Sequence, residues 1–276
     1  MRLAYFSNDF FIAFRTRFIY INSPSHTNSI SGVPAKNAIA GDLQPSQAKR
    51  VSNSPQDHPG PLVLVGGGEF QTGCDFDRDL ANQAGSQLLL IPTAAAYENP
   101  SQVLENASSW FASFGVTVHS ANIFTRRDAD DKEMCKQIAE SRFIYISGGS
   151  ALHLKSVLKG SLAFQALEEA WRSGATVIGS SAGAMVLTDP MVDPRGGAFT
   201  LGLGLVEGMS VVPHYESYSD EKAHRTVGIA PQDLALVGID AQTAIIRQPS
   251  GGWSKLGSGR VFVYRNRKLA DLTILP

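Results

Sequence analysis

The apolar positions of this chain change texture near residue 61. From Leu62 onward, short apolar runs recur and each ends in small residues. They are LVLVGGGEF from Leu62, QLLLIPTAAA from Gln87, GVTVHSANIF from Gly115, SRFIYISGGS from Ser141 and GATVIGSSAG from Gly174. The runs are apolar on both sides of a two-residue period, which predicts strands buried on both faces. Helical stretches separate them, one over about 101–114 and another in LAFQALEEAWRSG, where apolar residues fall at three- and four-residue spacing before Gly174. Strands alternating with helices predict a mostly parallel sheet covered on both faces, a three-layer α/β/α sandwich.

Past Leu187 the pattern changes again. TDPMVDPRGGAFTLGLGL is rich in Gly, Pro and Asp and reads as loop. MSVVPHYES, DLALVGIDAQTAIIR and GWSKLGSGRVFVYRNRKL then read as short strands with close turns, expected as antiparallel additions at the sheet edge. No repeat of fixed period is visible.

Before Leu62 the pattern is different. The first 21 residues are apolar but broken by Asn8, Asp9, Arg15 and Arg17, unlike the clean apolar core and small-residue cleavage site of a signal peptide. Residues 22–61 are rich in Ser, Pro, Asn and Gln. Such a composition buries too little apolar surface to offset its ordering entropy. Residues 1–60 are therefore expected to form a disordered extension, and residues 61–276 the globular domain.

Composition narrows the function classes. With 43% hydrophobic residues in 276, the chain can bury a sizeable core. A formal net charge of −1 with no dense basic stretch argues against nucleic acid as a partner. No window reaches the ~18 uninterrupted apolar residues of a membrane helix. Cys74 and Cys135 lack metal-ligand spacing and read as reduced structural thiols of a cytoplasmic protein.

Ligands of parallel sheets bind beyond the carboxyl ends of the strands. Three stretches with small residues fall there: Gly66–Glu69, Gly148–Ser150 and Gly179–Gly183. The last fits G-x-S-x-G with Ser181 at its centre. A nucleophile on a sharp strand-to-helix turn needs small neighbours for the turn to close, and the helix N-terminus beyond it favours an oxyanion. The same pattern also serves a plain strand–helix turn, with Ser180 or Ser181 as N-cap. A serine needs a base, and His is the usual one. Of six histidines, His26 and His58 fall in the polar lead-in, His119 inside a strand, where it is expected to be packed, His153 at a helix start and His224 on a surface helix. His214 follows MSVVP at a strand end, in the layer expected for Ser181, and is the preferred base. One N–H from the Gly148-Gly149 pair and one from Ala182 would make a two-donor oxyanion hole. Gly66-Gly67-Gly68-Glu69 does not have dinucleotide-fingerprint spacing.

These motifs together resemble the serine peptidase family of cyanophycinase and aspartyl dipeptidase E, whose fold is that of the class I glutamine amidotransferases (flavodoxin-like). The matching stretches, in order, are LVGGGE, IPTAAA, Arg127-Asp128-Ala129, ISGGSALHL, GSSAGAM, VVPHY and GIDAQTA. They span about Leu62 to Tyr264, and the step from Gly149 to Ser181 also looks like the family's. The resemblance implies Ser181 as nucleophile, His214 as general base, and Gly149 and Ala182 as oxyanion donors. It implies hydrolysis of a small peptide or related amide without metal or cofactor, and is compatible with a homodimer. Glu69 and Ser150 stand where substrate contacts are expected.

The chain departs from the family at two places. Ser150 and Ala151 follow the glycine pair where members carry Asn or Asp and often Gln. Ala241 holds the place of the Glu that orients the histidine in cyanophycinase-like members. Asp240 is adjacent but should point to the opposite face of a strand. Asp193, Asp189 and Glu216 are the other candidate acids; the dipeptidase branch places its acid in the loop after the nucleophile helix, which favours Asp193. A domain that binds a small molecule or partner without catalysis is the alternative reading, and an esterase or acyl transferase using the same residues is a third. The absence of Cys from the elbow speaks against glutaminase activity.

Overall fold

The computed structural model describes residues 58–276. The expected N-terminal extension falls, for residues 1–57, outside the described residues. Gly60 is already buried, donating its N–H to Trp171 O and accepting from Trp171 Nε1.

The strands β1 (Leu62–Val65), β2 (Gln87–Ile91), β3 (Thr117–Ser120), β4 (Phe143–Ile146) and β5 (Thr176–Ser180) match the apolar runs. Successive residues feed opposite faces. Leu62, Leu64, Leu89, Ile91, Ile144 and Ile146 pack on one side, while Val63, Val65, Leu88, Leu90, Phe143 and Tyr145 pack on the other. Each fully buried Leu or Ile is worth roughly 1.5–3 kcal/mol over an exposed one, so neither face of β1, β2, β4 or β5 can be turned to water, whereas β3 is partly exposed.

Two strands from the C-terminal part complete the sheet. We number β6 (Met209–Val212), β7 (Ala235–Ile239), β8 (Thr243–Arg247), β9 (Trp253–Gly257), β10 (Val261–Arg265) and β11 (Lys268–Ala270). The seven-stranded sheet runs β9-β8-β1-β5-β4-β2-β3. The pairs from β1 through β3 are parallel, and β8 and β9 are antiparallel additions, as the pattern predicts. The helices α1 (Phe76–Ala84) and α2 (Pro100–Ala112) cover one face. On the other face lie α3 (Arg126–Ala129), α4 (Lys132–Glu140), α5 (Ala151–Leu158), α6 (Leu162–Arg172) and α7 (Ala182–Leu187). The fold is the expected three-layer α/β/α sandwich.

Two expectations need correction. MSVV is not an antiparallel strand at the main sheet's edge. It is β6, parallel to β7 in a separate four-stranded sheet, β6-β7-β10-β11. Its residues Met209, Val211 and Val212 join the core beneath α7 rather than extending the main sheet. His119 is in β3 as expected but exposed, because β3 is the sheet's outermost strand; its Nε2 meets Gln87 Oε1 at 2.6 Å. A last helix, α8 (Asp220–Ile229), carries His224 on the surface. No helix among the described residues is long and apolar enough to cross a membrane.

Candidate active site

Ser181 sits between β5 and α7 with φ 50° and ψ −108°, a strained conformation for a residue with a side chain. Neighbouring contacts enforce it. Ser181 N–H donates to Val65 O and its carbonyl accepts from Met185 N–H. A Cβ on Gly179 would lie 2.7 Å from Gly183 C, and one on Gly183 2.5 Å from Ile146 O. The two glycines of the motif therefore let the helix start press against the sheet. Ser180 is buried and its hydroxyl donates to Glu69 Oε2 at 2.8 Å, so it faces the interior while Ser181 faces the cleft.

His214 arrives from the second sheet, not from the layer of β5. Its N–H donates to Gly66 O at 2.8 Å, and a left-handed backbone (φ 50°, ψ 42°) turns the ring toward Ser181. Nε2 stands 3.2 Å from Ser181 Oγ. Gly67 makes this approach possible, since a Cβ there would lie 2.2 Å from His214 Nε2. The sequence reading did not pick out Gly67; three glycines after a strand gave no hint which one seats a ring.

The acids sort clearly. Asp193 was the preferred partner for His214, but it is taken by Arg195: Oδ2 accepts from Nη2 at 2.6 Å and Oδ1 from the Arg195 N–H and Nε. These bonds hold its carboxyl down at about 2. Asp189 Oδ1 accepts Gly202 N–H, and Asp240 Oδ2 accepts the N–H and Nε of Arg260. Glu216 faces the imidazole, with Oε1 3.9 Å from His214 Nδ1. Its other oxygen accepts Ala241 N–H at 2.8 Å. The position where an acid was expected thus supplies a backbone donor that holds a different acid.

Ser150 and Glu69 also differ from expectation. Ser150 caps α5, its Oγ accepting His153 N–H and its own N–H donating to Ala94 O. Helix capping is what a serine in this position does well, and it leaves the side chain out of the cleft. Glu69 lines the cleft but both oxygens have protein donors, Gly148 N–H at 2.8 Å and Ser180 Oγ. Gly149 has φ 129°, lines the cleft, and its N–H meets no protein acceptor among the described residues. Ala182 opens α7, where an N–H has no partner within the helix.

The cleft around this group measures about 380 Å³ and is closed on one side by Asn99, Gln102 and Asn106 from the start of α2. A larger hollow of about 690 Å³ lies at the amino ends of the strands, lined by Gln87, His119 and Arg142 among others. It contains no serine–histidine approach, and parallel sheets bind ligands at the opposite end.

Known peptidases share the sequence pattern and the fold of this chain. The profile of peptidase family S51 matches residues 62–251. Cyanophycinase of Synechococcus elongatus is 25% identical over 243 residues, covering 83% of this chain and 75% of that protein. The uncharacterized peptidase PM1590 of Pasteurella multocida is 28% identical over 189 residues, 64% of this chain and 87% of that one. The crystal structure of a peptidase from an acI-B1 Actinobacterium superposes with a TM-score of 0.69 at 28% identity, covering 79% of this chain and 95% of that one. The chain belongs to peptidase family S51 and is a peptidase.

Proposed function

We propose that the chain hydrolyses a short peptide or related amide through an acyl-enzyme on Ser181. The observation that carries this is the 3.2 Å approach of His214 Nε2 to Ser181 Oγ at the carboxyl end of a parallel sheet. Ser181 Oγ attacks the scissile carbonyl carbon while His214 Nε2 takes the hydroxyl proton. The carbonyl oxygen becomes an oxyanion, received by the N–H groups of Gly149 and Ala182. The tetrahedral species collapses, the C–N bond breaks, and His214 returns the proton to the departing amine. Water then adds to the ester with His214 as base, releasing the acid and restoring the Ser181 hydroxyl. Glu216, held by Ala241 N–H, keeps Nδ1 of the imidazole turned away from the serine and balances the transient imidazolium. Catalytic contacts that are long without substrate tighten when it binds.

The relatives named cyanophycinase do not fix the substrate here, because Ser150 is spent on capping α5 and Glu69 on protein donors. The unpaired thiols Cys74 and Cys135 favour a reducing compartment such as the cytoplasm. A fluorophosphonate probe tests the chemistry. Wild type is expected to be labelled on Ser181, with labelling abolished in Ser181→Ala and strongly slowed in His214→Ala. Labelling that persists in Ser181→Ala, or none in wild type, overturns the reading. A screen of dipeptides and isoaspartyl peptides then finds the substrate.

A further inference from the structure

Three of the segments that build the site follow strands of the main sheet and are far apart in sequence: those after β1, β4 and β5. One side chain links them. Glu69 belongs to the first; its Oε1 accepts Gly148 N–H at 2.8 Å on the second, and its Oε2 accepts at 2.8 Å the hydroxyl of Ser180, the last residue of β5 before the third. The partners are 79 and 111 residues away in sequence. A Cβ at Gly148 would lie 2.9 Å from Glu69 Oε1 and 3.3 Å from Ser181 Cβ, so a side chain there would displace the carboxylate.

The hydrogen bonds along the second turn alternate in use. Gly148 N–H is held by Glu69, and Ser150 N–H is held by Ala94 O at 2.8 Å. Gly149, between them, has no protein acceptor for its N–H among the described residues. Two successive glycines, one at φ 129°, have little intrinsic preference for any one orientation of their peptide planes. What fixes the direction of the free N–H is therefore its clamped neighbours.

We propose that Glu69 is a positioning residue for the oxyanion pocket: its carboxylate locks the Gly148-Gly149 turn to the residue preceding Ser181, so that Gly149 N–H and Ser181 Oγ keep a fixed relation. This rests on the hydrolase reading above. It gives Glu69 a role through Gly148 and Ser180 rather than through substrate. Each oxygen of the carboxylate accepts from one protein donor, and the two bonds together fix its direction.

The experiment measures labelling by the fluorophosphonate probe, split into its maximal rate and its half-saturating concentration, with the melting temperature recorded for each variant. Glu69→Ala is expected to lower the maximal rate about 10²-fold, the scale of losing one oxyanion donor, with the half-saturating concentration within about threefold of wild type. Glu69→Gln is expected to stay within roughly fivefold of wild type, because its amide oxygen still accepts Gly148 N–H and its amide nitrogen donates to a turned Ser180 hydroxyl. Glu69→Asp, a methylene too short to reach both partners, is expected to behave like Glu69→Ala. Wild-type protein labelled on Ser181 together with Glu69→Ala labelled equally fast overturns this proposal alone; no labelling of wild type overturns the hydrolase reading and this with it. Equal loss in the Ala and Gln variants, or a loss confined to the half-saturating concentration, also overturns it. If Glu69→Ala does not fold, the Gln and Asp pair decides, and equal maximal rates in those two overturn the proposal.

Discussion

Two neighbours of His214 act on it in different ways. Gly67 makes room for the ring: with φ 108° and a hypothetical Cβ 2.2 Å from Nε2, no other residue leaves the imidazole where it is. Gly67→Ala is expected to cost at least about 10²-fold in kcat, since displacing a base by an ångström is enough for that. Ser181 labelling rates measure it, and a rate equal to wild type would show the ring does not need this seat. Glu216 acts by charge and by direction. It is half exposed and 3.9 Å from Nδ1, so its effect should be far smaller than that of a buried triad acid. Glu216→Gln keeps an oxygen for Ala241 N–H and is expected to lose roughly tenfold in kcat, while Glu216→Ala, which also drops that anchor, should lose more. An Asp193→Ala variant serves as contrast and should stay near wild type, because Asp193 is bound to Arg195. If Asp193→Ala is the more damaged variant, the assignment of Glu216 fails. Glu216 stood in the sequence only as one of several candidate acids, because its place beside His214 depends on the left-handed turn there and on a backbone donor at Ala241, neither of which has a residue-type signature. The place of Ser181 on a sharp turn was legible, because a strained strand–helix turn demands glycines at fixed offsets.

At the scale of elements, α1 and α2 are joined beneath the sheet by one polar contact inside an apolar layer. Trp110 Nε1 of α2 donates to Asp77 Oδ2 of α1 at 2.9 Å. Asp77 is fully buried and its Oδ1 has no partner among the described residues. Burial pushes its carboxyl up to about 7, the nearby charges of Glu69 and Asp75 add to this, and the Trp110 bond opposes it. In the unfolded chain the same group ionises at its ordinary value of 3.8. Between those two values the folded chain holds a proton that the unfolded chain has released, so stability falls as pH rises from about 4 to about 7. The loss from this group is at most on the order of 4 kcal/mol. Asp77→Asn retains an acceptor for Trp110 and cannot ionise. Urea unfolding should show it more stable than wild type at pH 8 and within about 1 kcal/mol of it at pH 4. Equal stability at pH 8 would mean that Asp77 ionises in the fold without penalty. Most of these elements were readable in the sequence, because strands buried on both faces must be apolar at every position. The second sheet was not. Its β10 and β11 are partly exposed, and its buried strands β6 and β7 pair in parallel across a helix, which no local pattern encodes.

Over the whole molecule the charge is nearly balanced, at −1, but the cleft is not. Among its described lining residues are the carboxylates of Glu69 and Glu98 and the amides of Asn99, Gln102 and Asn106, with no lysine or arginine. Neither carboxylate is paired with a cation among the described residues: Glu69 accepts from two neutral donors, and Glu98 is exposed at the rim. A substrate with an acidic side chain entering here meets like charge and no cation to pair with. At an exposed site that repulsion is worth about 1 kcal/mol, or roughly fivefold in kcat/KM. Matched substrates differing only in the side chain on the acyl side test this. The order expected is Lys or Asn above Asp, with the gap carried by KM because a rim charge acts on binding rather than on the reacting atoms. Added salt near 1 M should flatten the order, since exposed charges are screened at that strength. Glu98→Lys should reverse it without changing kcat for the Asn substrate. An Asp substrate that stays ahead of Asn and Lys, and is indifferent to Glu98→Lys, would mean that a cation reaches the cleft from elsewhere in the molecule or its assembly, and that the lining residues do not set the charge preference.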